Sequence, residues 1–304
     1  MKKFISCLAV FVLLVMNGSV FALGSGESIF NSLSLKKRTD DPATGTGEGK
    51  IYYKGAGAPT YDSETVLMLH MDGSDEGTVF TDVSDTAHTV TANGDANTED
   101  SEKKFGVTSA EFDGSGDYLS IPDNSDFDSI WDNDFTLEAW IYQTTQGVDR
   151  GIFEHFESDS NRVRLMISGG DSGEVHSSGS GTGGLSWSFN SDSGSMSANN
   201  WYHIAVDSYN GTVKIFVNGV ADSETDSSLA TVGNIAGDIN IGKRRSTSVT
   251  YFNGSIDELR LSNFSRYEGN NFTPPTESFG IISNEGLYFK DENGTVTPII
   301  EVLP

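Results

Sequence analysis

An all-β fold is predicted by three features of the sequence. Asn-Gly pairs recur at 93–94, 210–211, 218–219, 253–254 and 293–294, and Asn-Gly favours φ > 0 at both central positions of a hairpin turn. The stretch DFTLEAWIYQ alternates strictly: Phe135, Leu137, Ala139 and Ile141 point one way, Thr136, Glu138, Trp140 and Tyr142 the other, as in a strand of period two. Long segments of helical periodicity are missing, while Gly is abundant and Pro sparse, a pattern of short strands and tight turns.

The elements follow in chain order. Lys2 and Lys3 precede an apolar run, Phe4 to Met16, too short to span a bilayer, and Val20-Phe21-Ala22 offers small residues for cleavage. Residues 1–22 are therefore read as a secretory signal peptide. Residues 23–48 are polar and read as a flexible leader. Ile51, Tyr52 and Tyr53 make a short strand closed by a Gly/Pro cluster. TVLMLHMDG, with Val66, Leu67, Met68, Leu69 and Met71, is dense enough for a strand buried on both faces. SAEFDGSGDYLSIPD gives two short strands around Gly114 and Gly116, and RGIFEHF and RVRLMIS give two more.

Residues 169–199, rich in Gly and Ser, read as long loops around one strand, LSWSF. Residues 201–223, WYHIAVDSYNGTVKIFVNGVADS, are the clearest unit: a three-stranded meander whose register is set by two Asn-Gly turns. DINIGKR and GSIDELRLSNFS supply further strands; in the second, Ile256, Glu258 and Arg260 alternate against Asp257, Leu259 and Leu261. LYFKDENGTVTPII reads as a hairpin about Asn293-Gly294. A lone hairpin is marginal in water, so its partner must lie upstream.

The chain carries 44 acidic against 19 basic side chains, a net charge of −25, and loss of Lys2 and Lys3 with a signal peptide takes this to −27. A phosphate backbone would be repelled, which argues against nucleic acid, while divalent cations are favoured. The single cysteine, Cys7, lies in the signal segment, so the exported chain has no disulfide to staple it.

The stretches WYHIAV, GTVKIFVNGV and FNGSIDELRLSNFSRYEGNNFTPPTESF resemble the laminin-G-like jelly-roll modules of the concanavalin A-like lectin/glucanase superfamily. VLMLHMDGSDEGTVFTDVS, FDGSGDYLSIPD and DFTLEAWIY match the same pattern in the same order. The resemblance covers about residues 64–280 and implies a two-sheet antiparallel jelly-roll sandwich with one concave outer face. GEGKIYYKGAGAP and NEGLYFKDENGTVTPI resemble two halves of a small β motif of phage and surface-fibre proteins. The expected organisation is a sandwich over 63–280 inserted into a small β unit split between 49–62 and 281–304.

The E-x-D-x-E pattern that the superfamily's glycosidases carry on one strand does not occur here, nor do G-x-S-x-G, H-E-x-x-H or a P-loop. A non-catalytic chain is expected. His203 within WYHIAV reads as a packed sheet residue. For sugar recognition, Glu138, Trp140 and Tyr142 share one strand face and Trp187 lies in the Gly/Ser-rich region. Aromatic faces beside polar groups suit a saccharide, and the same aromatics would equally serve as core. Arg244 and Arg245 form a local basic cluster, suited either to an acidic glycan or to the acidic surface itself. The resemblance implies a structural Ca²⁺, with Asp72 and Asp257 matching the motif and Asp113 a weaker third ligand.

The expected function is carbohydrate or surface binding, secreted or at a cell surface, with a glycan or a cell-surface or fibre protein as partner. The small β unit offers a route to homo-oligomers. Two alternatives stand beside this: a structural fibre or decoration protein without glycan binding, and an atypical glycoside hydrolase.

Overall fold

The computed structural model describes residues 64–280, apart from 170–172, 182–183, 192–195, 227–230 and 246–248, together with the strands 13–16, 19–22, 50–54, 286–290 and 296–301. The chain divides into two compact units, Met1–Pro59 with Ser283–Pro304, and Thr60–Ile282.

In the first unit β1 (Leu13–Met16) pairs antiparallel with β2 (Ser19–Ala22), inside the segment read as a signal peptide. The backbone of β3 (Lys50–Lys54) runs antiparallel to β21 (Gly286–Lys290), Ile51 opposite Phe289 and Tyr53 opposite Leu287. β21 pairs in turn with β22 (Val296–Glu301). The leader and the Asn293-Gly294 turn lie outside the described residues.

The second unit is an antiparallel two-sheet sandwich. Its strands begin with β4 (Thr65–Leu69), β5 (Thr91–Asn93), β6 (Asn97–Glu99), β7 (Ser109–Asp113), β8 (Tyr118–Ile121), β9 (Phe135–Gln143), β10 (Arg150–Ser158) and β11 (Asn161–Ser168). They continue with β12 (Glu174–Gly181), β13 (Gly184–Asn190), β14 (Trp201–Tyr209), β15 (Thr212–Val217), β16 (Val220–Asp226), β17 (Ile239–Ile241), β18 (Lys243–Arg244), β19 (Thr250–Tyr251) and β20 (Asn253–Ser262). One sheet has eight strands, β16-β15-β14-β9-β20-β7-β6 with β4 beside β20; the other has seven, β13-β12-β11-β10-β17-β8-β5. β18 and β19 form a separate two-stranded ribbon.

The meander is β14-β15-β16. Its turns have φ of 49° and 76° at Asn210-Gly211 and again at Asn218-Gly219, the left-handed pair of a type I′ hairpin. Ile204, Val206, Val213 and Ile215 enter the core with Phe135, Leu137 and Ile141 of β9. β4 is buried along its whole length, as its apolar density predicts. The short strands flanking Gly114 and Gly116 are not partners: β7 joins the eight-stranded sheet and β8 the seven-stranded one. The chain thus changes layer at that turn, which is how a sandwich closes its core.

Three local expectations are corrected. Residues 169–199 hold two strands, β12 and β13, where the composition suggested one strand in long loops. β12 is Gly/Ser-rich because the fully buried Trp187 of β13 lies against it. A Cβ at Gly179 would sit 2.3 Å from the Trp187 ring, and Ser177 Oγ accepts from Trp187 Nε1 at 3.0 Å. Asn253-Gly254 is not a turn but the start of β20, where a Cβ at Gly254 would collide with the Tyr142 carbonyl of β9. The alternation in β20 also breaks. Asp257 pairs with Trp140 and Arg260 with Glu138 across a register shift, and Glu258 has φ of 50°. This bulge inserts one residue, so Ile256, Leu259 and Leu261 all reach the core while Asp257 and Arg260 stay on the outer side.

Substitution Gly179→Ala is expected to destabilise the sandwich by about 1–3 kcal/mol, since an already filled site must absorb a methyl group. A lowered urea midpoint at unchanged slope checks it.

Candidate functional site

Sequence alternation places Thr136, Glu138, Trp140 and Tyr142 on the outer face of β9, and the structure shows what lies over them. Residues 264–279 cross this face as a second layer. Tyr267 and Phe272 stack at 3.4 Å between ring centroids. Phe272 meets His203 and Phe216, and the Phe279 ring lies 4.0 Å from the Arg260 guanidinium. From the other side Phe105 packs edge-on against Trp140, and Lys104 Nζ sits 3.9 Å from the Trp140 ring centre.

Glu138 is fully buried beneath this cover. Its Oε1 accepts from Arg260 Nε at 2.9 Å and Nη2 at 2.7 Å; its Oε2 meets His203 Nε2 at 3.1 Å and accepts from the Tyr267 hydroxyl. Burial alone would raise this carboxyl. The Arg260 charge, with the hydrogen bonds from His203 and Tyr267, outweighs it and brings the pKa from 4.5 to about 2. Tyr267 is pushed upward by burial and by the same carboxylate. Glu138 therefore fastens the covering layer.

Trp140 is buried as well, and only Tyr142 is half-exposed, resting on Trp201 at 5.6 Å. Trp187 lies in the core on the other sheet, against Phe135. The four residues expected to contact a sugar thus form no open face. The signal that β9 is covered was present in the aromatic spacing of SRYEGNNFTPPTESF, downstream of the last sandwich strand.

The expected metal ligands are partly gathered. Asp257 is fully buried; its Oδ2 accepts the N–H groups of Lys104 and Phe105 at 2.8 and 3.0 Å. Asp72 Oδ1 accepts from Val107 and Thr108 at 2.6 and 3.3 Å, so loop 104–108 ties both carboxylates. Burial pushes Asp257 up to about 7; the N–H groups of Phe105 and Lys104 oppose this, and the charges of Glu258 and Asp72 add to it. Glu258 is held by His70 Nδ1 at 2.9 Å and by the Phe279 N–H at 2.8 Å. Asp113 pairs with Asn253, four strand residues from Asp257, roughly 13 Å at the usual rise. Its Oδ1 caps its own turn at the Ser115 N–H, 2.6 Å away. A separate trio missed by the sequence reading, exposed Asp75 and Asp100 with half-buried Glu99, brings one oxygen of each within 4.8 Å of the others.

The outer face of the seven-stranded sheet is different in kind. Glu154 Oε1 accepts from Arg164 Nε and Nη2 at 2.8 and 2.5 Å, and the Arg245 N–H donates to Glu154 Oε2. The β18–β19 ribbon thereby lies along β10. A Cβ at Gly151 would be 2.3 Å from the Arg244 nitrogen, so glycine is what admits the ribbon.

A family model for the concanavalin A-like lectin/glucanases superfamily matches residues 113–268, just over half of the chain. The chain belongs to this superfamily. No curated protein matches the chain. Among solved structures, domain 4 of AbnA, an extracellular arabinanase from Geobacillus stearothermophilus, solved in complex with arabinotriose, is similar at 18% identity and TM-score 0.50, over 66% of this chain and 93% of that one. The receptor binding domain of botulinum neurotoxin C/D mosaic serotype is similar at 15% identity and TM-score 0.52, over 68% and 50%. The binding domain of Paraclostridial Mosquitocidal Protein 1 is similar at 14% identity and TM-score 0.52, over 67% and 50%. The chain spans half the length of these two toxin domains, and at such identities the likeness is one of fold. That fold is a lectin-like one shared with carbohydrate-binding and receptor-binding domains. No helix among the described residues is long and apolar enough to cross a membrane.

Glu138→Gln is expected to cost about 3–5 kcal/mol at pH 7, because Arg260, only 12% exposed, is left without its counter-charge. Glu138 has a depressed pKa, so its stabilisation is complete above pH 4.5 and fades as the pH falls toward 2. Urea midpoints of wild type and variant should therefore converge between pH 4.5 and pH 2.

Proposed function

We propose that this protein is an exported, non-catalytic recognition protein whose sandwich binds a carbohydrate or a carbohydrate-bearing cell surface. Membership of the lectin/glucanase superfamily carries the reading. The arabinotriose complex of a similar arabinanase domain and the receptor-binding role of the similar toxin domains support it. So does the state of Glu138: a carboxylate held at about pKa 2 under an aromatic cover is poorly placed to act as a general acid. Export rests on the charged start, apolar run and small residues of the first 22 positions. A glycan microarray probed with the full chain tests the reading. Saccharide binding without release of reducing sugar is expected, and release of reducing sugar by the wild-type chain would overturn it.

Asp72 and Asp257 are proposed to hold a structural Ca²⁺. The donor set fits a hard cation: both offer carboxylate oxygens, and Asp257 Oδ1 is buried with no hydrogen-bond partner. Ca²⁺ would supply the positive charge that the Asp72, Asp257 and Glu258 carboxylates otherwise lack beyond His70 and Lys104. Adding Ca²⁺ to EDTA-treated protein is expected to raise Tm by several degrees. The shift should shrink in Asp72→Asn and Asp257→Asn and persist in Asp113→Asn. A Tm indifferent to Ca²⁺ removes the metal.

A further inference from the structure

We propose that the outer face of the seven-stranded sheet, along Arg162, Arg164 and the Arg244-Arg245 ribbon, binds the carboxylate or sulfate group of an acidic saccharide. The inference rests on the saccharide-binding reading above and names the ligand class and the place. Arg162 and Arg164 stand two apart on β11, with Val163 between them turned into the core. Cross-strand register sets Phe156 and Ser180 beside Arg162, and Glu154 and Ser178 beside Arg164. The Arg245 guanidinium sits 5.9 Å from the Phe156 ring centre, and its carbonyl accepts from Arg164 Nη2 at 2.9 Å. Four arginines therefore converge in a chain that has 44 acidic and only 19 basic residues.

Their counter-charges are incomplete. Arg164 is matched by buried Glu154. Arg244 is matched by Asp149 at 2.5 Å, a residue 38% exposed. Among the described residues Arg162 pairs only with Asp159, at 4.0 Å, and its Nε and Nη1 are buried with no hydrogen-bond partner there. No carboxylate pairs with Arg245 among the described residues. Burial lowers the pKa of Arg162, and the charges of Arg164 and Arg244 lower it further. After burial, the same two arginines depress His176 of β12, Arg164 from the adjacent β11 and Arg244 from the ribbon. Buried guanidinium donors without acceptors are costly, and their fork geometry donates best to the paired oxygens of a carboxylate or sulfate.

The surroundings suit a sugar. Phe156, half-exposed, presents a ring face for C–H contacts. Asn240, level with Glu154 on β17, is fully buried and lies beneath this face, not on it. Ser178 and Ser180, both buried, back the arginines from β12. A long polyanion meets repulsion from the net charge of −25. A short acidic oligosaccharide brings one or a few charges to the arginines and leaves the rest of the surface alone.

The test is calorimetric titration of the full chain with short oligogalacturonides and their methyl esters, and with sulfated and unsulfated galactose oligosaccharides. The acidic form of one pair should bind at least about tenfold tighter than its neutral counterpart and weaken with salt, and the pair that shows this identifies carboxylate or sulfate. Arg162→Gln and Arg245→Gln should each lose about tenfold in affinity with the urea midpoint unchanged. Equal binding of neutral and acidic forms, wild-type affinity in Arg162→Gln, or preference for an acidic peptide such as oligoglutamate overturns the inference. If neutral saccharides bind and acidity brings nothing, the saccharide-binding reading survives alone. If no saccharide of either panel or of the microarray binds, both fall.

Discussion

The ion cluster at Glu138 is the constraint from which the rest of the sandwich follows. One buried carboxylate is shared by Arg260 of β20, His203 of β14 and Tyr267 of the covering segment, so β9, β14 and the stretch 260–267, far apart in sequence, meet at one charge. A charge taken out of water must be matched on every side or it destabilises the fold. The matching here pins a non-strand segment flat against a sheet, where hydrogen-bonded pairing is not available to hold it. The stacked Tyr267 and Phe272 then seal it from above.

That seal removes one of the two outer walls from contact with solvent. The outer wall of the eight-stranded sheet is spent on internal packing, from Phe105 at one side to Phe279 at the other. The wall of the seven-stranded sheet carries charged and hydroxyl side chains instead, several of them buried, with the β18–β19 ribbon lying along β10. Both walls hold a buried Glu–Arg pair, Glu138 with Arg260 and Glu154 with Arg164. The first is closed over by aromatics; the second is flanked by Arg244, paired with Asp149, and by Arg162 and Arg245, which have no close carboxylate among the described residues. The difference follows from what covers each pair.

The bulge in β20 links these walls to the metal question. The extra residue at Glu258 turns Asp257 outward under loop 104–108 and restores Leu259 and Leu261 to the core. Without it, a regular period of two would drive either a carboxylate or two leucines to the wrong side. The cost is an acidic group held in a site where burial resists its ionisation, which is the circumstance in which a bound cation lowers the free energy most.

The sequence by itself determined the all-β class, the meander and its two type I′ turns, the twice-buried strand at Val66–Leu69, and the superfamily, because alternation and Asn-Gly turns act over a few residues and do not depend on distant partners. It also marked Arg244-Arg245 as a basic cluster and Asp72 and Asp257 as related positions. Tertiary structure alone decided that Glu138, Trp140 and Trp187 are packed, that Asp113 stands away from Asp257, that a Gly/Ser run is a strand shaped by the Trp187 ring, and that Arg162 and Arg164 join Arg244 and Arg245. Period-two patterning says which face a side chain takes; it cannot say what later segment covers that face, where a bulge shifts the phase, or which strands 80 residues apart lie side by side.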